Sequence, residues 1–312
     1  MKIAVLGAGS LGSVFGASLA SAGSEVHLIS RNSSYVEAVN KNGLILIEGS
    51  QQRIIKTHAT SDPKSIGEVD LLIVLVKSFD TRAAIVSAKS TVGPMTAVLT
   101  LQNGLGNEEV INDELGEGHV LAGRTFVGGD AIAPGKIVSG LKGKHTIIGE
   151  LNGMVTQRIK DISAKFNEAG IDTQISTTIN SVIWGKLLVN VATGAIAGIT
   201  GLPYGLLYQV PEVHEVALKA VNEAINVAEA LGIELAEKDP EEIWQSAGIG
   251  LAAEFRTSIL QSLDRGSISE IDFINGAVVR AGNQVGISTP VNSTLVGCIK
   301  GIEAKNKAIA SR

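Results

Sequence analysis

The stretch from Lys2 to Ile29 constrains the fold of this chain more than any other. Lys2–Leu6 (KIAVL) reads as a short buried strand, and Gly7, Gly9 and Gly12 follow at once in GAGSLG. A GxGxxG turn between a strand and a helix lets the backbone bend sharply, lets a pyrophosphate approach closely and presents helix N-terminal amides to its charge. Here a small-residue helix, Val14–Ala22, follows the glycines, and a second apolar strand, Glu25–Ile29, closes a βαβ unit. In a chain with 36 glycines, a merely tight turn is the alternative. The flanking strand and helix favour a dinucleotide turn made by Gly7, Ala8, Gly9, Ser10, Leu11 and Gly12.

The end of the second strand bears on which dinucleotide is bound. An NAD site carries an acidic residue about twenty positions beyond the glycines, where it accepts from the ribose hydroxyls. This chain has Ser30, Arg31, Asn32, Ser33 and Ser34 there. A carboxylate would repel a 2′-phosphate, whereas Arg31 can pair with it and the neighbouring polar groups can donate to it. NADP(H) is therefore expected over NAD(H), against the plainer reading of Arg31 as a solvated residue opening a helix.

With 312 residues, 45% of them hydrophobic, the chain can build two domains with full cores. The net charge of −5, with no long basic run, argues against a nucleic-acid partner. Cys298 is the only cysteine, so no disulfide forms within the chain and no cysteine-based metal site is expected. Its apolar surroundings in the sequence suggest a small buried hydrophobe. The chain opens on a strand rather than a charged leader, and no apolar run is read as membrane-spanning. The expected compartment is the cytoplasm, with no metal and no membrane partner.

Apolar runs alternate with helical stretches through the first half, and ligands of an open parallel sheet sit outside the carboxyl ends of its strands. The informative residues are therefore those just after each run. Lys77 follows Asp70–Val76 (DLLIVLV), which is apolar enough to be buried on both faces, and Gln102, Asn103, Gly104, Leu105 and Gly106 follow Ala97–Leu101. Singly, Lys77 is equally well a surface lysine, and Asn103 with Gly104 a turn pair. Convergence of four strand ends on one edge favours function. From about Val120 to Ile175 the pattern becomes alternating and glycine-punctuated, as in Gly135–Ser139 and Lys144–Gly149, and predicts added antiparallel strands with a helix over Met154–Ala169.

Beyond Thr177 only helical periodicity remains, over Ile179–Ala197, Val213–Leu231, Pro240–Leu263 and Glu270–Val285. The fold class is thus an α/β Rossmann-type N-terminal domain, residues 1–176, followed by an all-α C-terminal domain, residues 177–312. In the helical half, Lys186 and Asn190 are four apart and share a helix face with Thr193. A lysine there either snorkels to solvent or is held partly desolvated, which suits proton donation near neutrality. Ser267 and Glu270 have the spacing of a capping box, a sufficient structural explanation of both. Ser258 and Ser262, one turn apart, read as ordinary helix-surface hydroxyls.

Together the GxGxxG start, Arg31, the LVK ending at Lys77, QNGLGN (102–107), WGKLLVN (184–190) and EIDFINGAV (270–278) resemble the ketopantoate reductase (2-dehydropantoate 2-reductase) family over nearly the whole chain. The resemblance implies NADPH-dependent reduction of the ketone of a 2-oxo acid, ketopantoate to pantoate in pantothenate biosynthesis. It also implies a helical domain serving substrate binding and dimerisation, in a homodimer. By that resemblance Lys186 is the general acid, with Glu270 beside it as a catalytic and cofactor-contacting group. Lys77 and Asn103 line the cofactor end, and Asn190 and Ser258, with Lys186, bind the substrate.

The chain departs from the family pattern where a second asparagine is expected beyond the lysine, since Gly194 stands there, and in the following loop, which reads Gly201, Leu202, Pro203, Tyr204. Two polar partners of the substrate's distal hydroxyl are thereby missing and a glycine should leave a roomier, less polar site, so a reductase or D-2-hydroxy acid dehydrogenase for another, more apolar 2-oxo acid is the alternative. A protein that senses NADPH without turning it over is a further alternative, but it would have no need of Lys186, Asn190 and Glu270 together.

Overall fold

The computed structural model describes residues 1–310 and divides into two compact units, one of residues 1–102 and 107–179, the other of residues 103–106 together with the chain from Asn180 onward. The first unit runs β1 (Lys2–Leu6), α1 (Ser10–Ser21), β2 (Glu25–Ile29), α2 (Ser33–Asn42), β3 (Leu44–Glu48), β4 (Gln51–Ile55), β5 (His58–Thr60), β6 (Leu71–Val74), α3 (Thr81–Ala88), β7 (Ala97–Thr100) and α4 (Asn107–Leu115). It continues through β8 (Val120–Thr125), β9 (Gly128–Ala133), β10 (Lys136–Gly140), β11 (Thr146–Glu150), α5 (Gln157–Glu168) and β12 (Thr173–Ile175).

Eight strands form the main sheet in the order β12-β11-β8-β7-β6-β1-β2-β5. It is parallel from β5 to β8, and β11 joins β8 antiparallel. Its central strands are buried on both faces, which is why they read as unbroken apolar runs. Ile3, Val5, Leu71, Ile73 and Leu99 face one core with Phe15 of α1 and Phe166 of α5. Ala4, Leu6, Leu72, Val74 and Val98 face the other with Ile85 of α3 and Ile111 of α4. The register sets Leu6 beside both Ile29 and Val74, and Val74 beside Thr100, so the ends of β2, β1, β6 and β7 lie in one row. Order reverses at β1, with β2 on one side and β6 on the other, and such a switch point is where an open α/β sheet binds its ligand.

The expectation of added strands beyond Val120 is met in a different arrangement. Only β11 extends the main sheet in the antiparallel sense, whereas β9 and β10 form a separate four-stranded sheet in the order β4-β3-β10-β9. Residues 44–55, given no element from the sequence, supply its other hairpin, and β10 runs parallel to β3.

The second unit is helical: α6 (Ile179–Thr200, entering from the first unit's last residue), α7 (Tyr204–Leu207), α8 (Pro211–Ala230), α9 (Pro240–Gly248), α10 (Ser258–Asp264), α11 (Asn275–Val285) and α12 (Pro290–Ala310). At 22 residues α6 is long and apolar enough to cross a membrane by length and composition, contrary to the expectation that no run is. About two thirds of its most apolar stretch is buried inside the structure, as befits a core helix. Its Leu187, Leu188, Val191, Ala192 and Ala195 pack in one cluster with Ala217, Ala220, Val221 and Ala224 of α8.

Three further expectations are corrected here. The apolar periodicity over 240–263 is two helices, because α9 stops at Gly248 and Gly250 takes a φ of +72° that side chains avoid. Residues 267–270 are not helical, so Ser267 caps no helix and the capping-box reading of Ser267 and Glu270 fails; a 3₁₀ turn covers Ile271–Phe273 and α11 begins at Asn275. Cys298 is exposed rather than buried, lying beside the stripe of Asn292, Leu295 and Ile299 that α12 turns inward.

Candidate functional site

The three glycines after β1 have distinct geometric duties. Gly7 has a φ of +101°, and a Cβ there would lie 2.5 Å from the Val76 amide nitrogen, so the turn passes directly against the exit of β6. Gly12 allows α1 to sit on that turn, since a Cβ would come 2.3 Å from the Gly7 carbonyl oxygen. Gly9 has nothing within 4 Å of its Cβ position, which leaves open space at the start of α1. No side chain caps α1 and its first turn holds no acidic residue. The N-terminus of a 12-residue helix with no side-chain cap, reached over a glycine without a side chain, fits the diphosphate of a dinucleotide.

The neighbouring strand ends bring polar groups to the same row. Arg31, beyond β2, donates from Nη2 to Asp80 Oδ2 at 2.6 Å, with 84% of its side chain exposed. Asp80 ends the 3₁₀ turn Ser78–Asp80 that leaves β6 and runs on into α3, and with a helical backbone (φ −94°, ψ −7°) its side chain makes no cap bond. Asn32 caps α2 by accepting from the Tyr35 amide. Ser30 Oγ accepts from the Asn32 amide. Lys77 is exposed and precedes the 3₁₀ turn Ser78–Asp80.

Beneath that segment lies a buried polar cluster. Gln102 Nε2 donates to the Val76 carbonyl at 2.8 Å and to Thr81 Oγ1 at 2.8 Å, while its Oε1 accepts from Thr100. Thr81 donates on to Asn107 Oδ1, whose amide reaches Ser78 Oγ. An amide satisfied on both sides fixes the backbone that carries Lys77 and Asp80.

In the helical unit, Lys186 and Asn190 are half-buried on α6. Thr193, one turn further, donates to the Val189 carbonyl and shares a 3.0 Å hydrogen bond with the Tyr204 hydroxyl. Both residues are buried, and burial raises the Tyr204 pKa against the lowering effect of that bond, so the phenol stays neutral. The Tyr204 ring also packs against Phe255, with centroids 5.1 Å apart and the planes tilted by 47°. Gly194 does not open a space: a Cβ there would meet Ile259 Cδ1 at 3.1 Å. Together with Gly198, whose Cβ would meet Ile259 at 2.8 Å, it forms a flat seam on α6 into which α10 packs. The expectation of a roomier site at Gly194 is thereby overturned. Ser258, exposed at the start of α10, sits next to that anchored isoleucine.

Glu270 is buried, three residues before Phe273. The Phe273 carbonyl accepts from the Leu105 amide at 2.9 Å and lies where a Cβ on Gly104 (φ +81°) would collide with it. The structure therefore places Asn103–Gly106 in the same unit as Glu270, Lys186 and Asn190, while Gly7–Gly12, Arg31 and Lys77 belong to the sheet unit. Asp80 carried no signal in the sequence, and Thr193 and Tyr204, both named from it, were not expected to pair with each other. Among the described residues, no three His, Cys, Asp or Glu side chains are grouped to hold a metal ion.

Comparison with known proteins accounts for both units. Residues 3–153 match the family model "Ketopantoate reductase PanE/ApbA" and residues 178–303 its C-terminal counterpart. The chain is 36% identical over 305 residues to the 2-dehydropantoate 2-reductase of Pyrococcus abyssi, covering 97% of this chain and 98% of the relative. It is 33% identical over 302 residues to that of Halobacterium salinarum, covering 96% and 98%. A crystal structure of a PanE/ApbA family ketopantoate reductase from Ralstonia eutropha superimposes with a TM-score of 0.90 at 34% identity, covering 98% of this chain and all of that one. D-mandelate dehydrogenase, solved with NADH and anilino(oxo)acetate, superimposes with a TM-score of 0.91 at 26% identity and the same coverage. Matched by family models in both halves and by relatives over its length, this chain belongs to the ketopantoate reductase family.

Proposed function

We propose that the protein reduces the ketone of a 2-oxo acid to the 2-hydroxy acid with NADPH, and that ketopantoate is the substrate. The observation that carries the reading is the glycine turn, in which Gly7 and Gly12 close the packing and Gly9 leaves the α1 amides accessible to a diphosphate. The names of the full-length relatives supply the substrate class. When bound, the nicotinamide supplies a hydride to the carbonyl carbon. Lys186 donates the proton that the oxygen needs as charge develops on it, and Asn190, on the same face one turn away, orients the substrate. Glu270 and Asn103 belong to segments joined by the Leu105 amide donating to the Phe273 carbonyl, and both are assigned to contacts with the cofactor and substrate. Arg31 recognises the 2′-phosphate. The packing at Gly194 removes the space expected for a more apolar 2-oxo acid, and the absence of asparagine at Gly194 and Tyr204 is what still favours that alternative. The test is consumption of NADPH with ketopantoate and with a panel of apolar 2-oxo acids, ketopantoate giving the highest kcat/KM.

A further inference from the structure

We infer that Asp80 sets how strongly this protein discriminates NADPH from NADH, by competing with the 2′-phosphate for Arg31; the inference rests on Arg31 being the phosphate-recognising residue. Three observations carry it. The pair is close, 2.6 Å between Arg31 Nη2 and Asp80 Oδ2, and it joins the exits of two strands that flank β1. The carboxylate accepts from no helix amide, because Asp80 has helical backbone (φ −94°, ψ −7°) as the last residue of the 3₁₀ turn Ser78–Asp80 that runs straight into α3, which leaves the side chain to Arg31. Asp80 is also the less exposed partner, 26% against 84% for Arg31, and its backbone is tied down by its amide donating to the Lys77 carbonyl at 2.8 Å. The acid is thus a fixed group and the arginine the movable one.

A 2′-phosphate dianion that takes up the Arg31 guanidinium must share it with Asp80 or displace the carboxylate, and in either case it lies within a few ångströms of a fixed negative charge. An exposed ion pair is weak enough to be given up, so the acid lowers NADPH affinity without abolishing it. NADH, which brings no phosphate to this corner, is indifferent to the exchange. An acidic residue also stands near the ribose end in NAD-binding sites, but there it follows the second strand, whereas here it arrives from the β6 exit. The arrangement moderates selectivity for the phosphorylated cofactor.

The test is equilibrium binding of NADPH and NADH to the intact protein, followed by nicotinamide fluorescence, for wild type, Asp80→Asn, Asp80→Ser and Arg31→Ala. Asparagine and serine both remove the charge while differing in size, and thermal unfolding of each variant shows whether either disturbs the fold. Asp80→Asn and Asp80→Ser should lower the Kd for NADPH by roughly three- to tenfold at low salt and leave that for NADH within about twofold. Rising salt should shrink the difference. An NADPH Kd that is unchanged or higher in both variants, with Arg31→Ala still reducing selectivity, overturns the role of Asp80 alone. A selectivity untouched by Arg31→Ala overturns the reading of Arg31 and this inference with it.

Discussion

Gly194 of α6 lies under Ile259 of α10, so close that a Cβ on the glycine would stand 3.1 Å from the isoleucine Cδ1. The contact is structural, and it changes what a substitution there should do. An asparagine would gain a few tenths of a kcal/mol in helix propensity over glycine but would overpack the seam, which costs about 1–3 kcal/mol. Gly194→Asn is therefore expected to lower the midpoint of thermal unfolding and to leave the KM for ketopantoate no better. Unchanged melting with a lower KM would show that the side chain finds room and reaches the substrate.

Arg31→Ala should reduce the preference for NADPH over NADH by roughly tenfold, the lower end for a charge-assisted contact, because the guanidinium is largely exposed and already paired with Asp80. Direct titration of both cofactors checks it. Equal affinities in the unmodified protein would remove the NADPH assignment altogether.

Gln102 is buried and satisfied on both sides of its amide. Gln102→Leu keeps the volume but leaves the Val76 carbonyl and the Thr100 hydroxyl without this partner, which should destabilise the sheet unit by about 2–4 kcal/mol. It should also weaken NADPH binding, since the segment bearing Lys77 and Asp80 loses its anchor. Full stability in a denaturant titration would mean that other groups or water take over these bonds.

Glu270 precedes the 3₁₀ turn Ile271–Phe273 but its side chain makes no cap bond there, and α11 starts only at Asn275. Glu270→Gln is therefore expected to lower kcat by about tenfold or more. A variant that melts earlier but turns over normally would assign the residue a purely structural part.

Much of the fold was legible because its signals are local. The turn at Gly7 and the doubly buried runs of β1, β6 and β7 need no distant partner to be recognised, and WGKLLVN places Lys186 and Asn190 on one face by spacing alone. What was not legible depends on pairings far apart in the chain. The β3–β4 hairpin carries a largely exposed β4 and finds its place by pairing Ile45–Ile47 with Lys136–Val138. Arg31 meets Asp80 across 49 positions. The break between α9 and α10 was masked by apolar periodicity, although Ile249 within it is 75% exposed. Gly194 was misread for a similar reason, because a missing side chain looks like space until the packing residue is known.

The most direct test is the steady-state rate of NADPH oxidation with ketopantoate, measured side by side for the unmodified protein and Lys186→Ala. Saturable turnover is expected in the former, with kcat lowered roughly 10²- to 10⁴-fold in the latter and NADPH affinity little changed. Absence of turnover with ketopantoate and every other 2-oxo acid in a protein that still binds NADPH, or a Lys186→Ala variant as fast as the parent, would contradict the account.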